Sequence, residues 1–127
     1  MNERVTSKDL FAPPAYAHAV RSGTLVHSAG AVPVDVEGNL VGPGDRIAQT
    51  RQVLANLETQ LAAAGASPPD VVKTVVYVVA DRGEDLSGVW DVVRASPFSG
   101  AASTLVGVTF LGYAGQLVEI EAVAVID

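Results

Sequence analysis

Two carboxylates near the C-terminus are the side chains best placed to do chemistry. Glu119 and Glu121 lie two residues apart in the apolar run LVEIEAVAVI. Because side chains alternate along a strand, both carboxylates share one face with Val123 and Val125. An acid held against apolar walls is desolvated, which raises its pKa and suits it to general acid or base catalysis. The same spacing also fits two solvated carboxylates at a sheet edge, with Glu121 in a structural role, paired with an arginine.

The other candidate groups are scattered along the chain. Tyr16 fits a ligand cleft or an aromatic at a subunit seam equally well, and Gly30, between two alanines, can relieve crowding or mark a bulge. Trp90 lies on an apolar helix face, which favours a core or interface position over ligand contact. Ser103 and Thr104 offer hydroxyl donors, although hydroxyls in a strand usually bond locally.

Composition excludes several classes of function. The chain has no cysteine, which excludes disulfides, thiolate nucleophiles and iron–sulfur ligation. Its 14 acidic and 8 basic residues give a net charge of −6, and no basic cluster is present, so nucleic acid is an unexpected partner. His18 and His27 have no further ligand at metal spacing and predict solvated or singly hydrogen-bonded side chains rather than a metal site.

Length and hydrophobic content indicate one domain over residues 1–127. No apolar run is long enough to span a bilayer, and the first thirty residues carry charges where a signal peptide is apolar, so we expect a cytoplasmic protein without a membrane partner. Hydrophobic residues make up 49% of the chain and charged residues 17%. This excess predicts that some apolar surface is buried between subunits.

The pattern of turns predicts the N-terminal elements. Residues Met1–Pro14 are polar and then proline-rich, and predict an irregular arm. AYAHAV at 15–20 and TLVHSAGAVPV at 24–34 predict a β-hairpin around Arg21–Gly23. The glycine-rich segment at 35–45 lacks the lysine of a phosphate loop and predicts a turn region.

The remaining chain predicts two helices and three strands. Asp45 caps a helix whose apolar stripe is Ile47, Leu54, Leu57, Leu61 and Ala64, with the polar residues Arg46, Gln49, Arg51, Glu58 and Gln60 mostly elsewhere around it. Residues 70–80 predict a central strand buried on both faces except at Lys73 and Thr74. A second helix follows at 84–96, on which Leu86, Val89, Trp90 and Val93 share a face, and two strands end the chain.

The resulting order is ββαβαββ, an α+β domain with both helices on one face of a mixed sheet. The other face needs cover, and self-association is the simplest way to supply it.

Several segments, taken in order, resemble the Rid family, also called YjgF or L-PSP. They are PPAYAHAV, HSAGAVPVD, the helix-to-strand block QTRQVLANLETQLAAAGASPPDVVKTVVYV, and LVEIEAVAV. The resemblance covers nearly the whole chain, and the helix-to-strand block and VEIEA are its most specific parts. It implies a chorismate-mutase-like fold and a homotrimer whose sheets form a central barrel, with ligand clefts between subunits.

The resemblance also implies an activity, the hydrolysis of reactive enamines and imines to a keto acid and ammonia without metal or cofactor. On that alignment the water-positioning acid is Glu119, the cleft tyrosine is Tyr16, and the glycine whose backbone faces the ligand is Gly30. The family element Pro-Ala-Arg-Ser corresponds to Gly100, Ala101, Ala102 and Ser103. The substrate-binding arginine of the family is therefore Ala102 in this chain.

This departure bears directly on the substrate. A guanidinium that holds a carboxylate by two charge-assisted hydrogen bonds contributes a few kcal/mol, and about 1.4 kcal/mol is tenfold in affinity. Trp90 also replaces a polar residue common in the family, so we expect a more apolar cleft, bounded by Tyr16, Gly30, Trp90, Ala102, Ser103 and Thr104.

Three functions follow as hypotheses. The first is hydrolysis of an imine, enamine or related adduct that does not depend on a carboxylate clamp, with Glu119 directing water and backbone amides near Gly30 and Thr104 stabilising charge. The second is a small-molecule-binding or regulatory trimer without turnover. The third is ribonuclease activity, a name attached to the family, which the net charge of −6 and the lack of a basic cluster disfavour.

Overall fold

Three short antiparallel strands form the first half of the sheet. They are β1 (Asn2–Val5), β2 (Ala19–Ser22) and β3 (Leu25–Ser28), in a computed structural model that describes all residues from Met1 to Asp127. The predicted hairpin is present with shorter strands, and its turn uses Gly23 at a φ of 61°, a conformation that glycine adopts without steric cost. The first residues differ from the prediction, because Asn2–Val5 is not irregular but pairs as an edge strand with β2.

His18 holds the rest of the N-terminal segment in place. Its ring is buried, accepts a hydrogen bond from the Ser7 amide at Nδ1 over 3.0 Å, and contacts the Phe11 carbonyl through Nε2 at 3.1 Å. Since Nδ1 is the acceptor, Nε2 carries the proton and donates. The expectation of a solvated or singly bonded histidine is therefore wrong at His18, whereas His27 is an exposed strand residue.

The first helix, α1 (Arg46–Ala63), begins and ends as the sequence predicts. The Asp45 carboxylate accepts from the amides of Ile47 and Ala48, and Gly65 follows the helix at a φ of 85°. Leu54, Leu57, Leu61 and Ala64 of the stripe are buried, but Ile47 is 37% exposed because it lies in the first turn, at the rim.

Two glutamines that were expected on the polar side of α1 are buried instead. Gln49 and Gln60 are 0% and 4% exposed. Both amides bond backbone groups of neighbouring loops and strands, which offsets the cost of burying them. Their role is to join the helix to irregular segments.

The second half of the chain follows a helix–strand alternation. A single turn of 3-10 helix at Pro68–Asp70 connects α1 to the next strand. The elements that follow are β4 (Val71–Val79), α2 (Gly83–Arg94), β5 (Ala102–Val108) and β6 (Val118–Val125). The six strands form one mixed sheet in the order β1-β2-β3-β6-β4-β5, in which only β4 and β5 are parallel. This is the chorismate-mutase-like architecture, and neither helix is long and apolar enough to cross a membrane.

Both helices pack on one face of the sheet, and the core lies between the layers. On β6 the buried residues are Val118, Ile120, Ala122 and Ala124, which alternate with residues that point away from the helices. We call the opposite surface the open face. It comprises Glu119, Glu121, Val123 and Val125 of β6 and the residues level with them on the other strands.

Strand β4 is buried on one face only within the single chain. Thr74, Val76 and Val78 are buried under the helices, whereas Val75 and Tyr77 are half-buried on the open face. Burial on both faces was therefore not observed, and Thr74 was wrongly expected to be uncovered. Its hydroxyl is satisfied by donation to Ser103 Oγ over 2.8 Å.

Candidate functional site

Glu119 lines a small cavity on the open face of the sheet. The strand alternation of β6 turns its carboxylate away from the core, and the loop between β5 and β6 folds back beside it. The cavity has a volume of about 260 Å³, and its walls are formed by six residues: Tyr16, Ala29, Gly30, Gly112, Tyr113 and Glu119. Three predicted site residues, Tyr16, Gly30 and Glu119, therefore lie together.

Gln116 fixes the carboxylate in this position. Its side chain is buried, and its amide nitrogen donates to Glu119 Oε1 and to the Val118 carbonyl, each over 3.0 Å. Its amide oxygen accepts from the backbone N–H of Tyr113 over 3.1 Å. One buried amide thus ties together the acid, the strand and the loop that carries the second tyrosine.

The environment raises the pKa of Glu119 above its ordinary value. Desolvation by burial is the main cause, the hydrogen bond from Gln116 acts in the opposite direction, and the nearby negative charge of Glu121 adds to the rise. A carboxyl group of this kind gains and loses a proton closer to neutral pH than a solvated one, as a general acid or base requires.

Tyr16 approaches the acid from the segment before β2. Ala15 adopts a φ of 65°, an unusual backbone conformation for a residue with a Cβ, and this turn directs the next side chain over the cavity. The Tyr16 and Tyr113 hydroxyls lie 3.2 Å apart. Desolvation and the contact with Tyr113 raise the pKa of Tyr16, so its hydroxyl stays protonated and can donate a hydrogen bond.

Gly30 is required by the position of the carboxylate. A Cβ atom built on Gly30 would overlap the carboxyl group of Glu119. The glycine therefore permits close approach of the Glu119 carboxyl group. Of the two roles that the sequence offered for Gly30, relief of crowding is the one observed. The adjacent bridge between Ala31 and Ile120 holds the two backbones together at this point.

The second acid has a different partner from the one expected. Glu121 accepts a short hydrogen bond from the Tyr77 hydroxyl, rather than pairing with an arginine. This bond, together with desolvation, raises the pKa of Tyr77 to about 12. Because it is bonded within the fold, Glu121 is less available to a ligand than Glu119.

Four predicted site residues lie away from this cavity within one chain. Ala102 pairs with Lys73 at the start of β5, two strands away from β6 and level with Val123. From strand geometry, with spacings of about 4.8 Å across and 3.3 Å along, its Cα is roughly 16 Å from that of Glu119. Ser103 bonds Thr74, and Thr104 accepts from Lys73 Nζ over 2.8 Å. Trp90 packs against the core from α2.

Sequence reasoning missed Tyr113 and Gln116. The only signal for them was the loop LGYAGQ, in which an aromatic and an amide directly precede the acidic strand. Nothing local indicates that this loop folds back over Glu119, because that depends on contacts with α1. The structure brings no group of three or more metal-ligating His, Asp or Glu side chains together.

Comparison with known proteins places these features in a family. The family model described as endoribonuclease L-PSP matches residues 6–126. This chain belongs to the L-PSP family. Family membership agrees with the chorismate-mutase-like fold and with the Rid resemblance of the sequence.

Solved structures of L-PSP family proteins superpose along the whole chain. A member of the YjgF family from Mycobacterium tuberculosis is 33% identical and covers 99% of this chain and 100% of its own, with a TM-score of 0.80. A structure described as RidA from an Antarctic Psychrobacter is 30% identical, with coverage of 98% and 99% and a TM-score of 0.82.

Curated relatives match over a shorter stretch. A RutC family protein of Pyrococcus horikoshii is 41% identical over 63 residues, which are 50% of each chain. A 2-iminobutanoate/2-iminopropanoate deaminase of Escherichia coli is 38% identical over 63 residues, which are 50% of this chain and 48% of the relative. The match therefore spans about half the length of these curated relatives.

Proposed function

We propose that this protein binds a small metabolite in a cleft between the subunits of a homotrimer and hydrolyses an imine- or enamine-type adduct there. In this proposal Glu119 positions the attacking water. The observation that carries the proposal is a half-buried carboxylate, oriented by Gln116, that shares a cavity with the Tyr16 hydroxyl. The deaminase name of a relative points in the same direction.

The reaction fits the protonation states of these groups. The Glu119 carboxylate takes a proton from water as the new C–O bond forms at the imine carbon, and it passes that proton to the imine nitrogen. In the resulting carbinolamine the hydroxyl gives its proton to Glu119, which transfers it to the nitrogen as the C–N bond breaks, so that ammonia leaves and a carbonyl product remains. The protonated Tyr16 hydroxyl is a donor for the nitrogen or the developing oxyanion, and no metal or other cofactor is needed.

The assigned substrate differs from the 2-imino acids of the named relatives. The Glu119 cavity has no Arg or Lys in its walls, and Ala102 replaces the family's guanidinium. A carboxylate directly bonded to the imine carbon would be desolvated in the cavity without a cationic partner, which is costly. In a trimer, β5 of a neighbouring copy would add Ala102 and Thr104 to the wall, and the cation beside them, Lys73, already donates to Thr104 Oγ1 over 2.8 Å.

Turnover by Glu119→Gln and Glu121→Gln tests the role of the acid. Each variant removes one carboxylate from the same face of β6. Two substrates are assayed separately: 2-iminobutanoate, and an imine that lacks a carboxylate. We expect ammonia release from the second imine to fall at least about 100-fold in Glu119→Gln and less than about tenfold in Glu121→Gln. Equal loss in both variants contradicts the assignment, and fast turnover of 2-iminobutanoate contradicts the interpretation of Ala102.

A second candidate function is a binding protein without turnover, favoured by the absence of a cationic clamp in the cavity. The same experiment separates it from the enzyme. Native mass spectrometry can detect a ligand that co-purifies with the protein. If neither imine is hydrolysed and this ligand still binds Glu119→Gln with altered affinity, the protein is a binding protein without turnover.

A further inference from the structure

A larger cavity adjoins the Glu119 cavity on the open face. Its volume is about 560 Å³, and the two cavities share Tyr16 and Ala29 in their walls. In the strand register, Arg4 of β1 lies opposite Val20 of β2, which lies opposite His27 of β3. The three side chains are therefore neighbours on the open face. The larger cavity is therefore lined by a guanidinium and an imidazole, both of which are N–H donors.

Arg4 has no partner within the fold. The chain has eight cationic side chains. Three of them donate hydrogen bonds to an oxygen, Arg21, Arg46 and Lys73, while Arg82 and Arg94 form ion pairs with Glu84 and Asp91, and Lys8 is exposed in the segment after β1. Arg51 lines a groove between the helices that also contains Glu58 and Asp91. By contrast, none of the ten residues around the Arg4 cavity is acidic.

An unneutralised guanidinium in such a cavity favours an anion. The chain as a whole carries a net charge of −6, whereas this cavity is lined by one cationic side chain and no acidic one. Its local charge is therefore opposite in sign to that of the whole chain. The planar fork of arginine matches the oxygens of carboxylate and phosphate, and a neighbouring imidazole N–H adds a further donor in either tautomer.

We propose that Arg4 and His27 form a subsite for an anionic oxygen group, a carboxylate or a phosphate, carried by the ligand whose reactive carbon lies at Glu119. This rests on the proposed function, because it assigns one end of the ligand to the Glu119 cavity. It does not restore the missing arginine at Ala102, since Arg4 lies on β1 at one edge of the sheet and Ala102 lies on β5 at the other edge.

The placement sets the kind of ligand. His27 is three residues from Gly30, about 10 Å of extended chain, and Arg4 lies two strand spacings of about 4.8 Å beyond His27. After allowing for the reach of the arginine side chain, the anion lies on the order of 10 Å from the Glu119 carboxylate. The ligand class is therefore an imine or enamine with a remote anionic group, whereas a 2-imino acid has its carboxylate on the reacting carbon.

Solution NMR of the ¹⁵N-labelled protein tests the subsite in the oligomeric state it adopts. Inorganic phosphate is titrated in one arm and butanoate in the other, against chloride at matched ionic strength. We expect saturable shifts at the Arg4 Nε–H and at the amides of His27 and Ala29. The arm that saturates at lower concentration identifies phosphate or carboxylate as the preferred group.

Variants locate the effect. Arg4→Gln should weaken the preferred anion at least about tenfold, because a charge-assisted contact is lost. Arg51→Gln removes the same charge from an unrelated groove and should leave affinity unchanged. Equal weakening of anion binding in both variants would contradict the assignment of the subsite. The absence of any anion-dependent shift, as when a neighbouring subunit fills the cavity, would contradict it as well.

Failure of the subsite is distinguishable from failure of the proposed function. Phosphate or butanoate binding at Arg4 does not need Glu119, so Glu119→Gln should retain it. Conversely, if Arg4→Gln leaves both anion binding and turnover unchanged while Glu119→Gln abolishes turnover, the subsite is wrong and the catalytic assignment stands.

Discussion

The Glu119 carboxyl group experiences two opposing effects. Burial beside the tyrosines disfavours its charged form, whereas the hydrogen bond from Gln116 favours it, and the balance leaves its pKa raised. The protein thus gives up some stability to keep an acid with a shifted pKa in a cavity, which is common at functional sites. Close approach to Gly30 adds a steric condition, since a Cβ atom at this position would displace the Glu119 carboxyl group.

The raised pKa predicts a pH-dependent stability effect at this residue. Above the ordinary Glu pKa of 4.5, the folded chain holds the Glu119 proton more tightly than the unfolded chain, so this group's contribution to the free energy of unfolding falls as pH rises. Glu119→Gln removes the titration. We expect the variant to be more stable than the wild type at pH 7.5 and to lose this advantage at pH 4, as measured by urea unfolding.

The exposed acid Glu58 on α1 provides the matched control for this measurement. Glu58→Gln removes the same charge away from the cavity. If the gain at pH 7.5 in Glu119→Gln is no larger than the gain in Glu58→Gln, desolvation of Glu119 is contradicted.

At the scale of elements, α1 positions the loop that completes the site. Gln49 is fully buried on this helix, and its amide nitrogen donates to the carbonyls of Gly42 and Gly115, each over 3.1 Å. Its amide oxygen accepts from the Leu117 N–H over 2.7 Å. One helical side chain therefore fixes both the loop before α1 and the loop that carries Tyr113 and Gln116.

Replacement of Gln49 by leucine should destabilise the fold. Leucine fills the space but leaves the three backbone groups at Gly42, Gly115 and Leu117 without their partner, at a cost of about 3 kcal/mol in the free energy of unfolding. Urea unfolding measures this difference. Gln52→Leu, on the same helix, removes a single hydrogen bond to Asn56 Oδ1 and should cost about 1 kcal/mol. Similar losses in both variants would show that Gln49 does not hold the loops.

At the scale of the whole molecule, the sheet has one covered face and one open face. The open face presents Val106, which is 37% exposed and lies in the row that contains Glu119 and Tyr77, and the pair Leu25 and Val125, which are 37% and 47% exposed and lie at the far end of β6. Exposed apolar residues in a contiguous sheet surface are typical of a subunit interface. This supports the proposed homotrimer, in which the open faces of three copies would cover one another.

A lysine on the open face should prevent that assembly. Val106→Lys places a charge in the proposed interface, where its desolvation is costly. We expect light scattering to give a mass near three times 13.1 kDa for the wild type and a lower oligomeric state for the variant. Ala55→Lys, on the exposed side of α1, should keep the wild-type mass. A monomeric wild type, or a trimeric Val106→Lys, would contradict the trimer.

The sequence by itself determined most of the architecture. Periodicity predicted both helices and the two-layer arrangement, because the spacing of apolar residues depends on local backbone geometry. The Asp45 cap and the stop at Gly65 are local as well, and so is the alternation that turns Glu119 and Glu121 to one face. The missed edge strand at Asn2–Val5 shows the limit, since three polar residues and a valine pair only because β2 lies beside them.

Only the tertiary structure decided what surrounds the acid. Gln49 and Gln60 look polar and exposed in the sequence, yet they are buried because loops distant in the chain need their amides. Tyr113 and Gln116 reach Glu119 for the same reason, and Arg4 faces the adjoining cavity through pairing across three strands. Local periodicity fixes which face a side chain occupies, whereas the groups that desolvate, orient or neutralise it are set by long-range contacts.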